Sequence, residues 1–360
     1  MSLQETNSLT LVGRLTLNLA SLNNEGTEGN AIQPRTATVV DDGKLHTVPV
    51  ISGDMLKHWH AVHLSKIAQD RGLALCENAQ RRKIDPNRIK GELADIDWVR
   101  ENVIGPMEAS EEWDSDNWEW EGESSSDDQD NALEEKLYEL VASMCTVTDA
   151  HGLLITSVEP EDENGDTVFS TDVAVARTGR VQVGFMAGIP KKSTTKHFFH
   201  AKYATKRKGI QSRETSTGEG QNIFTRPATS AEFAIVATID LDGIGFDDAA
   251  NAHVIDEQEC ASRKNAVIDA LSYTLMNQPG ANSSQQFPHV TGFEGAIVTS
   301  ETNCPAPSVS PMKENYLDTL RSLKSSINSM NGDEAIEVNE AQTLEEMVGK
   351  LTSLSNGSAG

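Results

Sequence analysis

Residues 9–19 alternate between two sets of side chains, and this pattern constrains the fold more than any other feature of the chain. Leucine occupies every odd position except Gly13, whereas the even positions carry Thr, Val, Arg and Asn. Successive side chains of a strand point to opposite faces of its sheet. The alternation therefore predicts a half-buried strand, with the leucines facing the core.

The same reading finds further strands and helices in a recognisable order. In chain order the predicted elements are strand 9–19, helix 53–71, strand 171–185, strand 231–241, helix 257–277 and strand 293–299. This β-α-β-β-α-β order belongs to the α+β class and is that of the ferredoxin-like or RNA-recognition (RRM) fold. The core of the fold is expected to occupy 8–72 and 143–310.

Large segments interrupt or follow this core. Residues 21–42 are predicted to be a polar loop, and 73–142 to be an insertion that is partly helical and then densely acidic, with three tryptophans between 108 and 130. Residues 311–350 are predicted to form C-terminal helices, because apolar residues recur at helical spacing and Thr343 and Glu346 form a capping-box pattern. Residues 351–360 are expected to be a disordered tail.

A basic stretch at 177–226 contrasts with the rest of the chain. The whole protein has 30 Lys+Arg against 55 Asp+Glu, a net charge of −25, yet this stretch carries eleven basic residues and only two acidic ones. Phe198, Phe199, His200, Tyr203 and Phe224 lie among them. Cations that hold phosphates and rings that stack on bases are what single-stranded nucleic acid needs, so the stretch is predicted to be an exposed nucleic-acid-binding loop. Its cations are Arg177, Arg180, Lys191, Lys192, Lys196, Lys202, Lys206, Arg207, Lys208, Arg213 and Arg226.

A second candidate anion site lies where helix 53–71 begins. Ser52 and Gly53 are expected to present free backbone N–H groups there, and Lys57 adds a positive charge one turn later. The alternative is a plain N-cap formed by Ser52, and Asp54 opposes an anion. Arg35, in the polar loop that precedes the site, favours the anion site.

Other classes of protein find little support. No apolar run is long enough to span a membrane, and the N-terminus has no signal pattern, so no membrane association is expected. Four widely spaced cysteines without a CxxC motif fit a reducing cytoplasm. No cofactor fingerprint or catalytic motif occurs, and His58, His60 and His63 lack the spacing of a metal site. Neither a cofactor, a metal nor a catalytic residue is predicted.

Several segments together resemble the DevR/Csa-type family of CRISPR-associated autoregulators. They include 15–26 (LTLNLASLNNEG), 29–30, 35–37 and 48–53 near the start, then 177–180, 199–202 and 221–224 in the basic stretch. The resemblance covers most of residues 8–310. It implies the repeated backbone subunit of the type I Cascade complex, with an RRM-like palm, fingers at 73–142 and a thumb hairpin at 190–228.

The resemblance also implies partners and contacts. The chain would bind CRISPR RNA (crRNA) along its phosphate backbone, next to other copies of itself and other Cascade subunits, and would present the guide to a target DNA strand. The residues expected to contact RNA are Asn24, Asn30, Arg35, Ser52, Gly53, Lys57, Arg177, Arg180, Lys191, Lys192, His200, Lys202, Lys206, Arg207, Lys208, Arg213 and Phe224.

Two functional classes stay open at this point, a non-enzymatic RNA-binding subunit and an RNA endonuclease. We favour the first, because base pairing rather than the protein reads the sequence in guide-dependent complexes. The endonuclease is the alternative, since the same superfamily contains members that cleave RNA. Its acid–base groups would be Asp41, Asp42 or His200, none of which sits in a recognisable catalytic pattern. A third and weaker reading is a mimic of nucleic acid built on the acidic insertion.

Overall fold

The computed structural model describes residues 3, 5–28, 31–81, 89–108, 127–168, 170–171, 173–203, 221–278, 284–331 and 335–356. The strands are β1 (Ser8–Ala20), β2 (Asn24–Glu28), β3 (Ala31–Pro34), β4 (Thr36–Asp41), β5 (Lys44–Ile51), β6 (Leu153–Ile155), β7 (Val175–Arg177), β8 (Val181–Val183), β9 (Met186–Tyr203), β10 (Gln221–Asp240), β11 (Phe246–Asp247), β12 (Ala252–His253), β13 (His289–Ser300) and β14 (Ile336–Ala341). The helices are α1 (Gly53–Arg71), α2 (Glu77–Gln80), α3 (Lys90–Leu93), α4 (Ile96–Val99), α5 (Gly105–Glu108), α6 (Asp127–Ser143), α7 (Thr146–His151), α8 (Glu257–Met276), α9 (Tyr316–Asn331) and α10 (Leu344–Asn356), with a π-helical turn at Arg100–Ile104.

A large, almost entirely antiparallel sheet forms the centre of the molecule. Its strands follow the order β14-β13-β1-β10-β9-β5-β4, with β2, β3 and β8 attached beside this path. Strand β1 pairs antiparallel with β10 on one side and with β13 on the other, so the strand predicted at 9–19 is confirmed and is central. The predicted strand at 171–185 is instead two short strands, because β7 pairs with β6 in a separate sheet and only β8 joins β10.

Helices α1 and α8 cover one face of this sheet. Their side chains Trp59 and Leu271 belong to the same buried cluster as Leu11 and Leu15 of β1. Helix α1 starts and ends as predicted: the Ser52 hydroxyl accepts from the Met55 N–H at 3.3 Å, and Gly72 adopts a left-handed φ of 68°. The leucine face of β1 therefore packs under the two longest helices.

The other face of β1 is buried too, so the prediction of a half-buried strand is wrong. Val12 packs in a second cluster with Tyr316 and Leu320 of α9. Arg14 donates from Nε to the Pro311 carbonyl at 2.8 Å, and its guanidinium lies 5.2 Å from the centroid of the Tyr316 ring. The polar side chains of β1 bind the segment before α9 rather than water, a contact that the alternation of β1 alone does not contain.

Three other segments differ from their predictions. The loop expected at 21–42 contains three strands, β2, β3 and β4, because polar β-hairpins lack the apolar alternation by which strands are recognised. Between the two C-terminal helices, β14 adds a strand beside β13. The disordered tail predicted at 351–360 is wrong for 351–356, because α10 runs to Asn356 and buries Leu351.

The insertion at 73–142 is described in two parts. Helices α2 to α5 and the π-helical turn form its first part, and α6 ends it. Most of the acidic tryptophan-rich segment, 109–126, lies outside the described residues.

Candidate nucleic-acid interface

The basic stretch is built mainly as a long β-hairpin rather than as a loop. Strands β9 and β10 pair antiparallel from Tyr203 with Gln221 down to Ser193 with Ala231. The pairing then shifts, because Gly188 lies opposite Phe233 and leaves 189–192 facing a single residue. Lys191 takes a left-handed φ of 67° inside this bulge. Bulges bend and twist a strand, so the outer part of the hairpin is set off from the main sheet.

Two exposed phenylalanines mark the outer hairpin. Phe198 is 46% exposed and Phe199 is 82% exposed. As neighbours on one strand they point to opposite faces of the hairpin. A single exposed ring is common on protein surfaces, but two adjacent exposed rings on one hairpin offer a position for base stacking on each of its faces.

Lysines accompany these rings. Lys191, Lys192 and Lys196 are exposed. Lys192 pairs with Glu232 of β10 at 3.0 Å, so part of its charge is already matched within the protein. Lys191 is a predicted contact, and Lys196 is a cation of the basic stretch that was not predicted as a contact. Neither forms an ion pair with a described residue, so both charges are available to a phosphate.

Other predicted contacts are only partly described. His200, Lys202 and Phe224 lie in the hairpin strands, with His200 opposite Phe224 in the register and Lys202 opposite Asn222. The predictions for Asn30, Lys206, Arg207, Lys208 and Arg213 fall outside the described residues.

Arg177 is a core residue, which corrects its prediction as an RNA contact. Its guanidinium is ion-paired with Asp149, and it donates to the carbonyls of Phe246 at 2.7 Å and Gly243 at 3.1 Å. Asp149 is fully buried and also receives the Arg263 guanidinium at 3.0 Å. Two arginines on one carboxylate make a buried ion triad, and the donors of Arg177 are used inside the protein.

Arg180 is also committed to protein partners. Its Nη2 atom donates to the two carboxylate oxygens of Asp248 at 2.8 and 2.7 Å, and its Nη1 atom donates to Asp240 Oδ2 at 3.2 Å. The side chain is 10% exposed. An RNA phosphate would have to displace these carboxylates, so the prediction for Arg180 is not supported by its surroundings.

The predicted anion site at the start of α1 is closed. A Cβ added at Gly53 would come within 2.7 Å of the Val183 carbonyl oxygen, so strand β8 covers this end of the helix. Lys57 points inward and donates to the His151 carbonyl at 3.3 Å. The alternative reading, in which Ser52 is a plain N-cap, is the one that the structure bears out.

Asn24 and Arg35, by contrast, meet at a small cavity of about 20 Å³ near the base of the hairpin. Asn23, Pro227 and Thr229 also line it. Asn23 lies beside two predicted residues but was not itself predicted, because a run of polar residues does not show which side chain turns inward. The loop at 284–286 closes the same region, since Gln285 bonds to Arg226 and Gln286 donates to the Pro227 carbonyl at 3.5 Å.

The helix histidines are structural. His60 is buried between the His151 ring, 2.9 Å from its Nδ1, and the Val267 carbonyl, 3.0 Å from its Nε2. Burial lowers the pKa of His60 to about 4. Within the described residues no group of three or more His, Cys, Asp or Glu side chains is arranged to hold a metal ion. In the same part of the chain, no helix is long and apolar enough to cross a bilayer.

Comparison with known proteins identifies the family. The model of the family "CRISPR-associated negative auto-regulator DevR/Csa2" matches residues 11–321. The chain belongs to the DevR/Csa2 family. The resemblance predicted from the sequence is thereby confirmed.

A curated relative and several solved structures accompany this DevR/Csa2 match. The CRISPR-associated protein Cas7/Cst2/DevR of Thermoproteus tenax is 22% identical over 304 residues, which cover 81% of this chain and 74% of the relative. A chain of a CRISPR RNA-guided surveillance complex, pre-nicking, is 11% identical with a TM-score of 0.48, covering 97% of this chain and 100% of that one. Csc2 of Thermofilum pendens is 11% identical with a TM-score of 0.36, covering 98% and 87%. Both TM-scores lie below 0.5, so neither similarity fixes the fold.

Proposed function

We propose that this DevR/Csa2 protein is a non-enzymatic backbone subunit of a Cascade-type complex, which binds crRNA along its phosphate backbone. The observation that carries the proposal is the β9–β10 hairpin, with Phe198 and Phe199 exposed beside Lys191 and Lys196. Rings and lysines on a protruding hairpin supply stacking and phosphate contacts without reading the sequence. Several copies would line up along one guide, with other Cascade subunits, and present it to a target DNA strand.

The proposal includes a division of the chain into palm, fingers and thumb. The palm is ferredoxin-like and spans 8–72 and 143–310, the fingers are 73–142 and the thumb is 190–228. The strand order β13-β1-β10-β9, with β8 beside β10, supports the palm, because a ferredoxin-like sheet has this antiparallel order. The position of α1 and α8 on one face supports it as well.

RNA cleavage is the alternative function, and its candidate groups gain no support from their positions. Asp41 and Asp42 lie at the tip of the β4–β5 hairpin, where Asp42 takes a left-handed φ of 47°. Asp41 lies opposite Lys44 in the register, and no acid–base pair forms there among the described residues. We therefore propose that the chain is not an enzyme.

The test of RNA binding is a charge-matched pair of double variants. Lys191→Gln with Lys196→Gln removes two hairpin charges, and Lys44→Gln with Lys66→Gln removes two exposed charges elsewhere. Binding of a labelled single-stranded RNA is measured over a range of salt concentrations. Each lost phosphate contact lowers the slope of log K against log salt by about 0.7, so the hairpin variant should lose roughly 1.4. Equal slopes in the two variants would rule out the hairpin as the RNA interface.

A further inference from the structure

Three residues that line the small cavity at the base of the hairpin each carry a buried polar atom that has no hydrogen-bond partner among the described residues. These atoms are Asn23 Nδ2, Asn24 Oδ1 and Arg35 Nε. Buried polar atoms are nearly always paired, so three such atoms on residues that line one space point to a small polar group that would pair with them.

The cavity is held by the backbone around it. The Arg35 N–H donates to the Asn23 carbonyl at 3.2 Å, and the Arg35 carbonyl accepts from the Val50 N–H at 3.0 Å. These bonds tie the start of β2 to β5 across Arg35. Pro227 and Thr229 of β10 form the wall on the hairpin side, and Thr229 is itself fixed by a 2.9 Å bond between its hydroxyl and that of Thr195. The space is therefore built by the fold rather than left between mobile side chains.

The volume of the cavity and the donors and acceptors of the residues around it indicate which chemical group it can hold. A volume of about 20 Å³ admits one water-sized group and is too small for a phosphate. Two of the three buried atoms donate and one accepts. A hydroxyl has one O–H donor and two acceptor lone pairs, which match this set, whereas an amino group only donates and a phosphate oxygen only accepts.

The surrounding charge also disfavours an anion. The Glu25 carboxylate lies 4.0 Å from Arg35 Nε, too far for a hydrogen bond but close enough to offset its charge. A neutral hydroxyl is compatible with this neighbour, and a phosphate oxygen would also face the Asn24 carbonyl oxygen.

We propose that this cavity receives a ribose 2′-hydroxyl and makes the protein select RNA over DNA. The inference rests on the proposed function, because a strand that follows the hairpin passes Pro227 and Thr229 at its base. The 2′-hydroxyl of one bound nucleotide would take the place that a water can fill in the free protein. A deoxyribose lacks this group, so the three buried atoms either keep a water as their partner or stay unpaired.

The experiment compares binding of a short uridine strand with binding of the matched deoxyuridine strand, at fixed salt. Wild-type protein should prefer the RNA strand by about tenfold, the cost of leaving a buried polar group unpaired. Asn24→Ala should abolish the preference for RNA. Asn24→Asp keeps the acceptor oxygen and should keep the ratio of RNA affinity to DNA affinity, even where its negative charge lowers both affinities. Gln33→Ala is the control, because Gln33 lies on neighbouring β3 and bonds to Glu28 at 3.3 Å.

The outcomes distinguish failure of the inference alone from failure of the proposed function. Equal wild-type affinity for the two strands means that the cavity holds only water, and it overturns the inference while RNA binding stands. A preference that survives Asn24→Ala overturns the inference as well. Failure of the wild-type protein to bind either strand overturns the proposed function together with the inference.

Discussion

Phe199→Ala is expected to separate RNA binding from folding. The Phe199 side chain is 82% exposed, so folding removes less than a fifth of it from water. Full burial of a phenylalanine contributes up to about 3 kcal/mol, and the lost burial here therefore amounts to roughly 0.5 kcal/mol. The lower strand propensity of alanine adds at most about 1 kcal/mol. The free energy of unfolding should change little.

RNA affinity should fall although the protein remains folded. Stacking of one base on an aromatic side chain contributes about 1–3 kcal/mol, which corresponds to a loss of roughly 5-fold to 150-fold in affinity. Fluorescence anisotropy of a labelled RNA strand measures the affinity, and urea unfolding measures the stability of the same samples.

Phe185→Ala provides the matched control. Phe185 is 59% exposed but lies between β8 and β9, away from the outer hairpin. It should leave RNA affinity unchanged. If Phe199→Ala and Phe185→Ala bind RNA as tightly as the wild-type protein, base stacking on the hairpin is refuted.

Four other expectations can be measured. Asp149→Asn should lower the free energy of unfolding by about 3–5 kcal/mol in denaturant titrations, because Arg177 and Arg263 lose their buried partner. Acidification should also destabilise the fold, because burial holds the pKa of His60 at about 4, below its unfolded value, and the unfolded state therefore binds more protons. The free energy of unfolding should fall by roughly 3 kcal/mol between pH 6.5 and 4. His60→Gln should make the free energy of unfolding less dependent on pH over this range. Labelled RNA should remain intact with or without magnesium, and cleavage abolished by Asp41→Ala or His200→Ala would instead establish a nuclease. In native mass spectrometry the number of bound copies should rise in steps with guide length, and deletion of 192–225 should leave a folded monomer.

The sequence predicts elements well where one physical signal dominates. Strand β1 and helices α1 and α8 carry apolar residues at the strand or helix period, and each was located within a few residues of its observed bounds. The sequence does not predict strands β2 to β4, because β3 pairs with β10 and β4 pairs with β5, and the residues of a strand do not by themselves indicate such pairing.

Residues of the candidate site are harder to predict, because the charge of a side chain does not indicate whether the fold buries it. Arg177 and Lys196 look alike in the sequence, as two cations in one basic stretch. The difference is Asp149, which lies 28 residues before Arg177 and contacts it only because β7 passes α7 in the folded chain. Among the described residues no acid pairs with Lys196, which is exposed, whereas Arg177 is part of the core.

Both faces of β1 are covered, which bears on the surface that the proposed RNA binding can use. An RNA-recognition domain stacks bases on the open face of its sheet. Here that position is taken, since Arg14 binds the backbone at Pro311 and Lys313, Thr10 donates to the Ala306 carbonyl, and Tyr316 packs over Val12. Removing this cover would expose buried apolar surface and take two carbonyl partners from the Arg14 guanidinium, so the cover is part of the fold and not a lid. With both faces of β1 closed, the hairpin is the described part of the sheet that combines exposed rings with exposed cations. Under the proposed function, the RNA would therefore follow the hairpin rather than the faces of β1.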